Sequence, residues 1–80
     1  MPIAYTFRFD DNGNLLETKA LLRGEWVERQ YPGSKQFDTL LAAEAEIRKT
    51  FKDLGFSVIG LTHDVDIRYH AHIIACMVSR

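Results

Sequence analysis

His63, Asp64, Asp66, His70 and His72 crowd into one short stretch near the end of the chain. A His-x-His pair on a strand points both imidazoles the same way. A third histidine nearby could then complete a zinc site with an open coordination position. His63, His70 and His72 are therefore the candidate metal ligands, and zinc is the candidate ion. The competing expectation is a polar stretch at the end of a sheet with solvated histidines, since no Cys-x-x-Cys or His-Glu-x-x-His spacing accompanies the cluster. Asp64 and Asp66 could serve as an acid and base pair only inside a shaped cleft that tunes them apart. A chain this small would need a dimer seam to supply one.

Other chemistry-bearing residues point to structure. Cys76 lies in Ile74-Ala75-Cys76-Met77-Val78. A reactive thiolate needs an electropositive, partly exposed setting, so an inert thiol in a core or an interface is expected. Asp10-Asp11-Asn12-Gly13-Asn14 opens like a calcium loop, but its glycine is misplaced and Leu21 stands where a bidentate glutamate belongs. A hairpin turn accounts for all five residues. The glycines at 13, 24, 33, 55 and 60 are too scattered to cradle a phosphate.

Composition narrows the classes. Eighty residues make one domain, and 46% apolar with 26% charged residues is ordinary globular usage, which excludes disorder, collagen and a disulfide scaffold. Ten basic against eleven acidic residues leave a net charge of −1, so no strong field draws nucleic acid or an anionic membrane. A single cysteine cannot bridge internally, which fits a reducing, cytoplasmic setting. No signal peptide and no bilayer-spanning apolar run is evident.

The elements that position these residues follow from periodicity. Ile3, Tyr5, Phe7 and Phe9 alternate with smaller or polar residues, as a strand does. Asn12-Gly13 suits a type I′ turn. That turn pairs Phe9 with Leu16, Phe7 with Thr18, Tyr5 with Ala20 and Ile3 with Leu22. On the other face it pairs Arg8 with Glu17, Thr6 with Lys19 and Ala4 with Leu21. A second turn at Arg23-Gly24 sets Leu21 against Trp26, Lys19 against Glu28 and Ala20 against Val27. The third strand is expected over 25–31, with Arg29 placed awkwardly on the aromatic face. Leu40, Ala43, Ile47, Phe51 and Leu54 form one helical stripe, capped by Asp38 and closed by Gly55, with a Glu44–Arg48 pair on its surface. Residues 56–62 are apolar on both faces and read as an interior strand. A loop over 63–66 and a last strand over 67–79 complete the chain. Ile67, Tyr69, Ala71, Ile73, Ala75 and Met77 face the core, and Arg68, His70, His72, Ile74, Cys76 and Val78 face away. The order β-β-β-α-β-β predicts an α+β, two-layer domain: a mostly antiparallel sheet of about five strands with one helix on one face.

One helix covers one side of a sheet. The register leaves Ala4, Leu21 and Trp26 on the other side, joined by Ile74, Cys76 and Val78. A contiguous apolar patch on a small domain marks an interface, and tryptophan is enriched among binding hot spots. Leu21, Trp26, Ile74 and Val78 are the expected partner-binding residues, with Arg8, Lys19 and Arg68 as the rim. The expected function is a small non-enzymatic binding or accessory protein, most simply a homodimer, otherwise bound to a foreign protein. An inhibitor of a host complex, of the kind that phages and mobile elements encode, is a concrete form of that reading. The alternative is a small enzyme, or a small-molecule or metal-binding protein, with its site near His63, His70 and His72 at a dimer seam.

The segment from Gly24 to Thr39, through Trp26 and Phe37, resembles the arm-binding domain of tyrosine recombinases, which is three strands followed by a helix. The resemblance covers under half the chain and implies DNA binding. Glu25 and Glu28 stand on the strand where that family's sheet is rich in Lys and Arg, and two further strands are expected after the helix. Nucleic acid is accordingly the third expectation, behind protein and small-molecule partners.

Overall fold

A computed structural model describes residues 2–65 and 71–80. Its elements are β1 (Pro2–Phe9), β2 (Leu15–Leu22), β3 (Glu25–Glu28), α1 (Leu40–Asp53), β4 (Phe56–Val65) and β5 (Ala71–Ser79). The five strands form one antiparallel sheet in the order β3-β2-β1-β5-β4. The α+β, helix-on-sheet class expected from periodicity is the observed one.

The three-strand meander comes from two turns of different kinds. At Arg23-Gly24 both residues have positive φ, 51° and 81°, the signature of a type I′ turn. The register there is as the sequence predicts: Lys19 with Glu28, Ala20 with Val27 and Leu21 with Trp26. The first turn differs from expectation. Asp10 O accepts from Gly13 N at 3.1 Å, and only Gly13 is left-handed, with φ of 81°. This is a three-residue loop with its glycine in the bulge position. Asp10 Oδ1 accepts from the amides of both Asn12 and Asn14 at 2.9 Å, which selects that loop. One extra residue therefore enters β2. Phe9 pairs with Leu15, not Leu16, while Arg8–Glu17, Thr6–Lys19, Phe7–Thr18 and Tyr5–Ala20 stand as predicted. Leu16 is left outside the core, 54% exposed.

The core lies between one sheet face and α1. Ala43, Ile47 and Phe51 of the helix are buried against Phe7, Phe9, Ile73, Ala75 and Met77. Phe51 is the hub, its ring centroid 4.8 Å from Tyr5, 6.1 Å from Phe7 and 6.3 Å from both Tyr31 and Phe56. The helix begins one residue later than predicted. Thr39, not Asp38, is the N-cap, because its extended backbone aims Oγ1 at the Ala42 amide, 3.0 Å away. The helix ends at Asp53, and Gly55 turns the chain away with φ of 95°. Leu54 is therefore exposed and does not join the buried stripe. Phe37 packs on Phe9, centroids 5.9 Å apart, and anchors the entry to the helix.

Three strand expectations are corrected. β3 stops at Glu28, so Arg29 never enters the aromatic face; it is exposed, and its amide still bonds Thr18 O at 2.9 Å. β4 is an edge strand, not an interior one, because α1 carries the chain across the sheet to its far edge and β5 returns between β4 and β1. β4 also runs on through His63, Asp64 and Val65, which were expected in a loop. The pairing of Val58 with Met77 and Gly60 with Cys76 makes Ile59 a bulged residue, 64% exposed. Bulges on edge strands discourage further pairing. Ile67, Arg68, Tyr69 and His70 lie outside the described residues.

Candidate functional site

The sheet face turned away from α1 is built from alternate residues of all five strands. The registers set Trp26 beside Leu21, and Cys76 between Ala4 and Gly60. Continuing the Tyr5–Ala20 ladder by one step joins Leu21 to Ala4. One row of small and apolar residues thus crosses the sheet: Trp26, Leu21, Ala4, Cys76, Gly60. The next row is Glu28, Lys19, Thr6, Ile74 and Thr62. Beyond it, Glu17, Arg8 and His72 form a polar end. Val78, opposite Ser57, extends the apolar end.

Exposure separates this patch from ordinary surface leucines. Trp26 is 46%, Ile74 38% and Leu21 36% exposed, and they share one face. Leu41 and Leu54 are more exposed but stand alone on the helix side, which is unremarkable for a soluble surface. Glu17 anchors the polar rim, with Arg8 Nε at 3.9 Å and Lys19 Nζ at 3.7 Å. Such exposed pairs contribute little stability, but they fix where charge lies. Six of the expected partner-binding residues, Arg8, Lys19, Leu21, Trp26, Ile74 and Val78, are thus on one face. The seventh, Arg68, lies outside the described residues.

Compared with protein-family models, with curated proteins and with solved structures, the chain finds no match.

The candidate metal ligands are not gathered on one side. His63 pairs with Ile73 and so sits on the helix face, where its Nδ1 donates to Glu44 Oε1 at 2.7 Å. His72 is the neighbour of Ile73 and points to the open face. His70 lies outside the described residues. Among the described residues, no group of three or more His, Cys, Asp or Glu is placed to hold a metal. Glu44 is engaged with His63 rather than with Arg48, whose Nη1 reaches the Val58 carbonyl at 3.5 Å. Cys76 is a free, exposed thiol on the open face, so of the buried or interfacial settings that the apolar sequence predicted, the buried one is not found. The apolar run belongs to two faces, and only Ala75 and Met77 take the buried one.

A polar cluster on the helix side was not legible beforehand. The Tyr31 hydroxyl donates to Glu46 Oε2 at 2.8 Å and lies 3.2 Å from Thr50 Oγ1; the Ser34 amide donates to the same Glu46 oxygen at 3.1 Å. Burial pushes the Tyr31 phenol well above its usual range, and the adjacent carboxylate adds to the shift. For Glu46, burial raises the pKa, but the hydrogen bonds from Tyr31 and Ser34 and the nearby Lys35 charge outweigh it, and the net shift is downward. Lys35 also donates to the Tyr31 carbonyl and lies 5.6 Å above the Tyr31 ring. These contacts fasten residues 31–34 to α1. Two hollows flank this segment. One of about 400 Å³ lies between β2 and residues 28–31, and one of about 320 Å³ lies between the first turn and the start of α1. Neither is lined by a described histidine or by Cys76. Among the described residues, no helix is long and apolar enough to cross a membrane.

Proposed function

We propose that this chain is a non-enzymatic binding protein that works by association through the open face of its sheet, with a second copy of itself as the occupant. The observation that supports the reading is the grouping of Trp26, Leu21 and Ile74, each more than a third exposed, on one face with Val78 and Cys76. Burying such side chains contributes roughly 25 cal/mol for each Å² removed from water. Large apolar side chains held together in water on a domain of this size carry that free energy unused until a partner covers them. The polar rim of Arg8, Lys19 and Glu17 would set orientation more than affinity.

Sedimentation velocity over a range of micromolar concentrations tests the reading. The wild-type chain should sediment as a dimer that Trp26→Ala converts to monomer with unchanged circular dichroism. A wild-type monomer at every concentration would remove self-association and leave a foreign protein as the only occupant. Equal sedimentation of both proteins as dimers would place the interface elsewhere.

A further inference from the structure

Gly60 occupies the open-face position of β4 without an internal reason to be glycine. Its φ is not positive, and a Cβ built on it would meet nothing within 4 Å. The bulge at Ile59 puts this bare backbone at one end of the row that begins with Trp26. The row therefore runs from a large aromatic ring on one edge strand to a position with no side chain on the other, with β1 midway between them.

We infer that two copies pack face to face about a two-fold axis running along β1, so that the Trp26 indole of each lies over the bare backbone of Gly60 in the other. The inference rests on the self-association reading above and specifies its geometry. Such an axis lays β3 over β4, β2 over β5 and β1 over β1 of the second copy. Trp26 meets Gly60, Leu21 meets Cys76, and Ala4 meets Ala4, small enough for the layers to close to the usual separation of about 10 Å. In the second row the Lys19 stem covers Ile74 and the two Thr6 hydroxyls face each other. In the third row Glu17 lies over His72 of the second copy, an acid against an imidazole. Arg8 meets its own copy at this end, each with Glu17 alongside.

Area favours this axis over the other simple one. The two longer dimensions of the domain, 33 and 25 Å, bound a face of at most roughly 800 Å², enough for what each partner gives to a standard interface. An axis running across the strands through the Trp26 row would overlap only the apolar ends, about half that area. It would set Trp26 on Trp26 and Cys76 on Cys76. With the axis along β1 the two Cys76 residues stand two strand spacings apart sideways, about 10 Å, in addition to the layer separation, too far for a disulfide.

The test is a size swap read by sedimentation equilibrium. Gly60→Trp and Trp26→Thr should each weaken the dimer by about tenfold or more, and the double variant should recover most of that loss, since it exchanges the large and small positions. Threonine keeps strand propensity at position 26, and circular dichroism should be unchanged in all three. Two losses that simply add in the double variant would overturn the geometry while leaving self-association intact. So would a wild-type dimer that mild oxidation locks through Cys76. A wild-type monomer would overturn both the geometry and the reading beneath it.

Discussion

The Tyr31 hydroxyl and Glu46 Oε2 are joined across 2.8 Å, and that hydrogen bond ties the connection between β3 and α1 to the middle of the helix. The connection carries the chain away from one edge of the sheet, and the helix crosses to the other. Fastening the two together holds α1 over the Phe7, Ile73 and Met77 side. The open face follows from that placement: the chain's one described helix is committed to the side opposite Trp26.

Acid should weaken this clamp. Hydrogen bonds from Tyr31 and Ser34 and the Lys35 charge hold the Glu46 pKa below its ordinary value despite burial. The folded-state value is therefore lower than the unfolded one. The stabilisation is complete above the ordinary glutamate pKa of about 4.3 and is lost as pH falls through the folded value. Thermal melts of wild type and Glu46→Gln should diverge least in strong acid and most near neutral pH. Parallel curves from pH 7 to 3 would show that Glu46 contributes nothing through its charge. Glu46→Ala at neutral pH should cost about 1 kcal/mol, the lower part of the range for stranding a buried partner, because Thr50 still meets the Tyr31 hydroxyl.

Two glycines should respond oppositely to alanine. At Gly33 a Cβ would sit 2.6 Å from Glu46 Oε2 and 2.6 Å from the Tyr31 ring, although the backbone itself is unstrained. Gly33→Ala should cost about 1–3 kcal/mol by overpacking. Gly60→Ala should be neutral or stabilising by up to about 1 kcal/mol, through a less flexible unfolded chain. Urea melts at concentrations where the chain is monomeric separate the two. Equal midpoints would mean that the Tyr31–Glu46 clamp does not pack as tightly as its geometry indicates.

The shifted first turn sorts the two leucines that follow it. Leu15 pairs with Phe9 and packs on the core, while Leu16 stands in solvent. Leu15→Ala should cost about 2 kcal/mol, at the low end for a partly buried leucine. Leu16→Ala should stay within about 0.5 kcal/mol. The reverse ranking would restore the two-residue turn that Asn12-Gly13 suggests.

That turn shows where the sequence is legible and where it is not. Alternation along β1 and the positive-φ pair Arg23-Gly24 fix most of the sheet register, since a one-residue slip would exchange both faces. The Asp10 carboxylate overrides Asn12-Gly13 because its two bonds to the Asn12 and Asn14 amides select the three-residue loop, a local side-chain choice that the Asn-Gly dipeptide preference does not contain. The edge position of β4 was hidden for a related reason. Its apolar residues on both sides looked like burial, but Ile59 is bulged outward. Of the open face, the register alone supplies Trp26, Leu21 and Ile74. The placement of Gly60 on that face needs the bulge, which no periodicity announces. Tyr31 and Glu46 are 15 positions apart on different elements, and nothing in either segment points to the other.

Cys76 offers a direct probe of the face, because its free thiol lies between Ala4 and Gly60 in the row that the proposed second copy would cover. Alkylation by a maleimide should be fast in dilute solution and should slow as concentration rises through the dimer Kd. Ile74 is two residues away on the same strand face and 38% exposed. Ile74→Arg adds a charge that dimerisation would desolvate without a partner, at a cost of several kcal/mol. In that variant the labelling rate should stay at its dilute value at every concentration, and the protein should remain folded, because position 74 has solvent in front of it in the single copy. Labelling of the wild type that ignores concentration would mean that no second copy covers this face. Slowing that Ile74→Arg fails to relieve would mean that copies meet elsewhere and shield the thiol only incidentally.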